Sequence, residues 1–238
     1  MTCILAFDSS AAHCAAALLC DDTVHTRIEA MDKGQAERLI PLLEELLAET
    51  GTSWADLDAI AVGVGPGNFT GVRIAVAAAR GLALGRGIPA IGISTLEALA
   101  YGQSGPVTVV QDARRGAAYV QDFVDGLPTA APALVHELTA ITGTAFVGEL
   151  AEQMQGELRQ PALPLPAAMA RIAAARLGQD NPRPAPLYLR AADAAPARDL
   201  PPAILPDAPV SEAPVSDASV SDASLPDTEG PASEGPQV

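Results

Sequence analysis

The sequence has little that would place it in a membrane or outside the cell. No run of about 18 apolar residues, the length that a transmembrane helix needs, is free of charge. Met1 is followed almost at once by a short strand pattern, without the basic region and long apolar run of a signal peptide. The sequence therefore predicts a cytoplasmic protein that does not contact a membrane.

Cysteine and histidine are too scarce and too scattered to predict a metal site. The cysteines are Cys3, Cys14 and Cys20. Their odd number and the absence of Cys-x-x-Cys spacing predict buried, reduced thiols rather than a disulfide or a metal centre. The histidines lie in different predicted elements: His13, His25 and His136. Since their spacing matches no ligand set, we expect no metal site formed by these residues.

Basic residues are few. The net charge is −15, and Lys33 is the only lysine. Residues 201–238 carry seven acidic residues and no basic one, in five-residue repeats rich in Pro, Ser and Asp. Such repeats lack the apolar surface that folding requires, so we predict a disordered tail over residues 196–238. No basic patch of the kind that marks a nucleic-acid-binding protein is present, so a partner would have to supply most contacts to any RNA.

The chain is organised around residues 59–85, where a strand, a glycine-rich turn and a helix follow one another. The pattern predicts a buried strand at Ala59–Val64 and a helix at Thr70–Leu84, capped by Asn68 or by Thr70 itself. The turn is not a Walker loop, because no lysine follows it. It is not a dinucleotide-binding fingerprint either, because Asn68 stands where a glycine is required. A tight connection without a ligand and a phosphate-binding loop both stay open.

The helix of this stretch is apolar nearly all round. Its only charged residues, Arg73 and Arg80, are seven positions apart and share a face with Ala77 and Leu84. Such a helix is either central to the core or lies between its own core and a partner chain.

The order of the predicted elements indicates a mixed sheet with helices on its faces. In the first half the elements are 3–8, 14–20, 23–30, Gln35–Thr50, 59–64, 70–84, Ala90–Ile93 and 94–101. The second half is predicted to hold strands at 107–111, 117–124 and 145–147 and a helix at 167–177. Antiparallel strands followed by crossover units predict the ribonuclease-H-like α/β fold of the actin and sugar-kinase superfamily. We place an N-terminal lobe at residues 1–104 and a smaller C-terminal lobe at residues 105–195.

Several blocks of the sequence carry a family resemblance. They are Ile4–Ser9, Gly65–Arg73, Gly81–Ala83, Pro89–Glu97, Asp112–Gly116 and Tyr188–Arg190. In these blocks the chain resembles the bacterial TsaB (YeaZ) proteins of the tRNA threonylcarbamoyladenosine pathway. The resemblance spans about residues 3–190, and the acidic tail lies outside it.

The resemblance implies a non-catalytic scaffold and dimerisation subunit of the complex that makes tRNA N6-threonylcarbamoyladenosine. One expected partner is a TsaD-like catalytic paralogue, which transfers the threonylcarbamoyl group to the adenosine beside the anticodon. The other is a TsaE-like ATPase. Nucleotide and metal are expected on these partner subunits, tRNA would be contacted only indirectly, and a homodimer is expected to compete with the complex.

Two departures from the catalytic paralogue imply that this chain is not an enzyme. Where the paralogue has two metal-binding histidines, an approximate alignment places Thr95 and Leu99, and leucine cannot bind a metal. The charged turn Asp112–Gly116 replaces the glycine-rich nucleotide clamp. The alternative is an ATP-dependent enzyme of this fold, such as a small-molecule kinase, or a metallopeptidase. It needs acids or histidines clustered in a cleft, and only Asp8 and Asp112 qualify.

Asp8, at the end of the first strand, has two interpretations. Enzymes of this superfamily use an acid here to organise Mg²⁺ and phosphates, and with Ser9, Ser10, Gly65 and Gly67 it would form a vestigial phosphate or nucleotide site. In the other interpretation, Asp8 only caps the following turn through a backbone hydrogen bond.

The partner surface is predicted on the two long helices of the first lobe. These helices are expected to flank one sheet and to form a bundle with two equivalent helices of the paralogue, which shares the fold. The predicted partner residues are Leu42, Arg73, Val76, Ala77, Arg80 and Leu84.

Overall fold

The computed structural model describes residues 2–190. The predicted disordered tail at residues 196–238 lies outside the described residues. Within them, no helix is both long enough and apolar enough to cross a membrane.

The first sheet holds the N-terminal strands. These are Cys3–Asp8 (β1), His13–Cys20 (β2), Thr23–Ala30 (β3), Ala59–Gly63 (β4) and Ala90–Ile93 (β5). They lie in the order β3-β2-β1-β4-β5. β2 runs antiparallel to both β1 and β3, whereas β4 and β5 continue the sheet parallel to β1. Parallel neighbours need crossover connections, and helices supply them here.

The helices are Gln35–Thr50 (α1), Phe69–Arg86 (α2), Thr95–Ala100 (α3) and Leu165–Arg176 (α4). Asn68 and Thr70 were the two residues predicted to cap α2, and Asn68 is the one that does. Its side chain accepts hydrogen bonds from the backbone N–H groups of Thr70 and Gly71. Gly51 ends α1 in a left-handed conformation, with φ of 65°. Only glycine adopts this conformation without steric cost, so the helix stops there.

The second sheet is built from the following strands: Pro106–Asp112 (β6), Ala118–Val124 (β7), Leu127–Pro128 (β8), Ala133–Val135 (β9), Ala145–Val147 (β10) and Glu157–Leu158 (β11). Its order is β11-β10-β6-β7-β8, and β9 also pairs with β7. β6 and β7 pair antiparallel as a hairpin. The very short strands β8, β9 and β11 were not predicted, because two or three residues carry no periodic pattern.

Different helices pack on the two faces of the first sheet. Successive side chains of a strand point to opposite faces, so Leu5 and Phe7 pack under α1 and α2. Ile4 and Ala6 pack under α4 instead. Although α4 follows the second sheet in the chain, it therefore completes the core of the first. The whole described region belongs to one compact unit, and the lobe boundary at residues 104/105 stays a prediction.

The prediction of three reduced thiols is wrong for two of the cysteines. The antiparallel register of β1 and β2 places Cys3 directly opposite Cys20, and the two form a disulfide. Their Cα atoms lie 4.2 Å apart. Cys14 is a buried free thiol, and burial raises its pKa to about 11.

Candidate functional site

α2 has a buried and an exposed face. The buried residues are Gly71, Val72, Ala75, Val76, Ala79 and Ala83. On the opposite face Arg73, Ala77 and Gly81 are exposed, and Leu84 is 83% exposed. The outer face of α2 therefore combines an exposed leucine with small side chains.

Two residues predicted for the partner surface lie in the protein's own core instead. Leu42 is 0% exposed and Val76 is 2% exposed, and both pack between the helices and the first sheet. The reason is helical rotation of about 100° per residue, which turns Val76 inward although its neighbour Ala77 faces out. Leu42 belongs to the apolar stripe of α1 that covers the sheet.

The arginines of α2 are held by the end of the described chain. The Arg73 guanidinium lies 3.7 Å from the centre of the Phe69 ring, and its Nε donates to the Tyr188 hydroxyl at 2.7 Å. The Arg80 Nε donates to the Pro184 carbonyl at 2.7 Å. We call residues 184–188 the strap, because their backbone also donates from Leu187 N to Val64 O at 2.8 Å.

Sequence reasoning missed Phe69 and Tyr188 as part of this surface. Their rings lie 4.9 Å apart between centres, and they are 37% and 46% exposed. A sequence signal existed, since both stand inside the blocks that carry the family resemblance. Only the fold shows that residues more than a hundred positions apart meet.

Asp8 is fully buried and makes the turn-capping hydrogen bond that one interpretation predicted. Its Oδ1 accepts from the Ser10 backbone N–H, the Ser10 hydroxyl and the His13 Nε2, each at 2.9 Å. Its Oδ2 has no hydrogen-bond partner among the described residues, and it lies over Gly63, where a Cβ would overlap it. The acid is therefore engaged in holding the β1–β2 turn.

The structure brings the residues of the predicted phosphate site together but packs them against one another. The Asn68 backbone N–H donates to Ser10 O at 2.6 Å, and the Ser9 hydroxyl donates to Gly71 O at 2.8 Å. A Cβ at Gly67 would lie 2.5 Å from Ser10 O. The glycines thus allow the two turns to pack directly against each other, and the phosphate site stays a prediction.

The residues aligned with the paralogue's metal ligands have structural roles. The Thr95 hydroxyl donates to the Pro66 carbonyl at 3.0 Å, and Thr95 is 1% exposed. Leu99 packs against the core of the second sheet. Within residues 2–190, no three His, Cys, Asp or Glu side chains are grouped closely enough to hold a metal ion.

A charged network joins β3 to α1. Arg38 on α1 donates to both carboxylate oxygens of Glu29 on β3 and to both of Glu45, at 2.6 to 2.7 Å. The hydrogen bonds from Arg38 lower the pKa of Glu29 and of Glu45 and raise the pKa of Arg38 itself. β3 is an edge strand, so this network ties an otherwise open edge to the helix layer.

A mixed α/β sheet with helices on both faces and a second mixed sheet define this chain as a protein of the actin-like (ribonuclease-H-like) fold. Solved structures agree with this class. YeaZ from Pseudomonas aeruginosa matches with a TM-score of 0.66 and 28% identity, covering 79% of this chain and 100% of that one. The sequence comparisons then narrow the class to a family.

A family model described as "TsaD: tRNA N6-adenosine threonylcarbamoyltransferase" matches residues 29–175. The tRNA threonylcarbamoyladenosine biosynthesis protein TsaB of Escherichia coli K12 is 41% identical over 125 residues, which are 50% of this chain and 54% of that protein. An uncharacterized protein of Mycobacterium tuberculosis H37Rv is 36% identical over 172 residues, 71% of this chain and 82% of the relative. The chain belongs to the TsaB (YeaZ) family of tRNA threonylcarbamoyladenosine biosynthesis proteins.

Proposed function

We propose that this protein is a non-catalytic scaffold subunit of the complex that synthesises tRNA N6-threonylcarbamoyladenosine. In this role it binds a TsaD-like catalytic paralogue through α2 and also assembles with a TsaE-like ATPase, while tRNA is contacted through the partners. Membership of the TsaB family supports the pathway. The alignment reaches only about half of the Escherichia coli relative, so activity and partners are argued from this chain's own surface.

The observation that carries the proposal is the outer face of α2. Leu84 is 83% exposed there, and Ala77 and Gly81, which are also exposed, would let a partner helix approach closely. Arg73 and Arg80 at the edge of this face already bond to the strap. Contact with a partner would therefore depend on apolar packing and shape more than on ion pairs. A second copy of this chain could use the same face, which makes a homodimer the expected competitor.

The test is to place a charge on this face. Ala77→Glu would bury an unpaired carboxylate against the partner, which costs several kcal/mol, so we expect the affinity for the TsaD-like paralogue to fall by at least about a hundredfold. Sedimentation velocity of the mixed proteins measures this, and circular dichroism checks that the variant is folded.

The matched control is Ala175→Glu, the same substitution at an exposed position of α4. It should leave the heterodimer intact. If the Ala77→Glu variant binds the paralogue as tightly as the control variant does, the partner binds elsewhere and the proposed surface is wrong. The non-catalytic role has a separate test: transfer of the threonylcarbamoyl group by the isolated chain would contradict it whatever surface the partner uses.

A further inference from the structure

The outward sides of α1 and α2 carry two stripes of residues that have the same spacing and opposite charge. The α2 stripe consists of Arg73, Ala77, Arg80 and Leu84. The α1 stripe consists of Glu37, Pro41, Glu44 and Ala48, all of which are exposed. In both stripes successive residues are four, three and four positions apart, so each stripe follows one side of its helix. Charged and apolar side chains alternate in the same order along both helices.

Both arginines of the α2 stripe have hydrogen-bond donors to spare. The Nε of Arg73 donates to the Tyr188 hydroxyl, and the Nε of Arg80 donates to the Pro184 carbonyl. The Nη1 and Nη2 groups of these arginines have no hydrogen-bond or ion-pair partner within residues 2–190. The strap therefore holds each guanidinium at Nε and leaves two terminal nitrogens, which can donate to both oxygens of a carboxylate.

The glutamates of the α1 stripe are unpaired. Neither Glu37 nor Glu44 makes a hydrogen bond or ion pair with any residue that the structure describes. In this they differ from Glu45 on the same helix, which accepts from Arg38. The chain thus carries two open cationic donors and two open carboxylates at matching intervals, and it does not join them to one another itself.

α1 and α2 run in the same direction over the same face of the first sheet. α1 connects β3 to β4 and α2 connects β4 to β5, and these three strands all run parallel to β1. Both helices pack on one side of that sheet. A two-fold axis along the helices would place α1 of one copy on α2 of the other, and the same contact would occur twice. Glu37 is the third residue of α1 and Arg73 the fifth of α2, so the stripes would meet at nearly the same height.

We propose that two copies of this chain form a dimer in which the α1 stripe of each copy packs on the α2 stripe of the other. Across each contact Glu37 accepts from Arg73, and Glu44 accepts from Arg80. The apolar members of the stripes lie against one another between these ion pairs.

This inference rests on the proposed function, because it uses the same face of α2, and it names the residues that orient the second copy. Leu84, which is 83% exposed in the single chain, would be covered by the α1 stripe of the other copy. Apolar packing supplies most of the affinity, whereas the ion pairs fix which helix faces which, since complementary charges contribute more to specificity than to affinity.

The test uses two full-length double variants. Glu37→Arg with Glu44→Arg makes both stripes positive, and Arg73→Glu with Arg80→Glu makes both stripes negative. Each variant alone would bring like charges together in its own dimer, so we expect its dimer dissociation constant, measured by sedimentation equilibrium, to rise at least about tenfold. In an equimolar mixture every contact joins opposite charges again. The mixed dimer should therefore form within about threefold of the affinity of the unmodified chain.

The matched control reverses two other exposed glutamates, in Glu137→Arg with Glu152→Arg. It changes the net charge as the first variant does and should leave the dimer unchanged. Glu37→Arg with Glu44→Arg alters only exposed residues, so it tests the proposal even if loss of the strap contacts unfolds the arginine variant, which circular dichroism detects.

Three outcomes would overturn the dimer. They are an unmodified chain that stays monomeric at about 100 µM, a glutamate variant that dimerises as tightly as the control, and folded variants whose mixture does not restore the dimer. The proposed function is tested separately by titration with the TsaD-like paralogue. It fails if Ala77→Glu keeps its affinity for that protein, whereas the present inference fails on the homodimer alone.

Discussion

At the scale of single residues, the contact between Ser9 and Gly71 determines how the two turns of the first lobe meet. Gly71 lies in the first turn of α2, and its missing side chain lets the helix backbone approach the Ser9 carbonyl. The Ser9 hydroxyl donates back to Gly71 O at 2.8 Å. The glycine is therefore needed for this close packing.

Gly71→Ala should destabilise the protein by about 1 to 3 kcal/mol, because the new methyl group overlaps backbone that has no flexible side chain to move. Gly81→Ala on the same helix is the control: nothing lies within 4 Å of its Cβ position, and alanine favours a helix over glycine by about 1 kcal/mol. Urea unfolding of both variants gives the free energies. The free energy of unfolding should fall for Gly71→Ala and rise for Gly81→Ala. A stabilising effect of Gly71→Ala would contradict the packing role of this glycine.

The sequence could not distinguish these roles of glycine. A glycine-rich turn between a strand and a helix fits both a phosphate site and a tight backbone contact, and the difference depends on which turn lies opposite. That turn, at Ser9 and Ser10, is more than fifty residues away. Helical periodicity predicted which residues of α2 face outward, with Val76 as the exception. The strap depends on contacts between distant segments, which no local pattern contains.

At the scale of elements, the Arg38 network links the edge strand β3 to α1. Because the folded pKa values of Glu29 and Glu45 are lowered, the network stabilises the fold above the ordinary glutamate pKa of about 4.3. This contribution is lost as the pH falls through the lower, folded pKa values.

Arg38→Met should therefore reduce the free energy of unfolding at pH 7, and the difference from the unmutated protein should shrink as the pH is lowered from about 5 towards 3. Arg183→Met is the control, since Arg183 is exposed and has no ion-pair partner among the described residues. Denaturant unfolding across this pH range gives both differences. A deficit for Arg38→Met that stays constant down to pH 3 would show that the carboxylates are not responsible.

At the scale of the whole molecule, α4 joins the two halves of the chain. It comes after the second sheet, yet Ala168, Met169 and Ala170 are fully buried against the first. The periodicity predicted a helix here but could not say which sheet it covers. Removing α4 would expose the apolar side chains of β1 and β5, so the predicted lobe at residues 1–104 should not be stable alone.

Ala170→Glu should destabilise the whole described region by at least about 3 kcal/mol, because it buries an unpaired carboxylate between α4 and the first sheet. Ala175→Glu on the exposed side of the same helix should change stability little. Trp54 fluorescence reports on the first lobe and circular dichroism on the whole chain. Both signals should show a single unfolding transition at a lower temperature than in the unmutated protein. If Ala170→Glu melts like Ala175→Glu, α4 is not part of the core.

The position of α4 also has a consequence for synthesis on the ribosome. The strands of the first sheet are complete at Ile93, but the helix that covers their second face begins only at Leu165. Ribosomes add about 5 to 20 residues per second, so on the order of several seconds pass in which Ile4, Ile91 and Ile93 have been made but α4 is not yet there to cover them. During that interval the nascent chain is a natural client for chaperones, and the first lobe reaches its native state only when almost all of the described chain has been made.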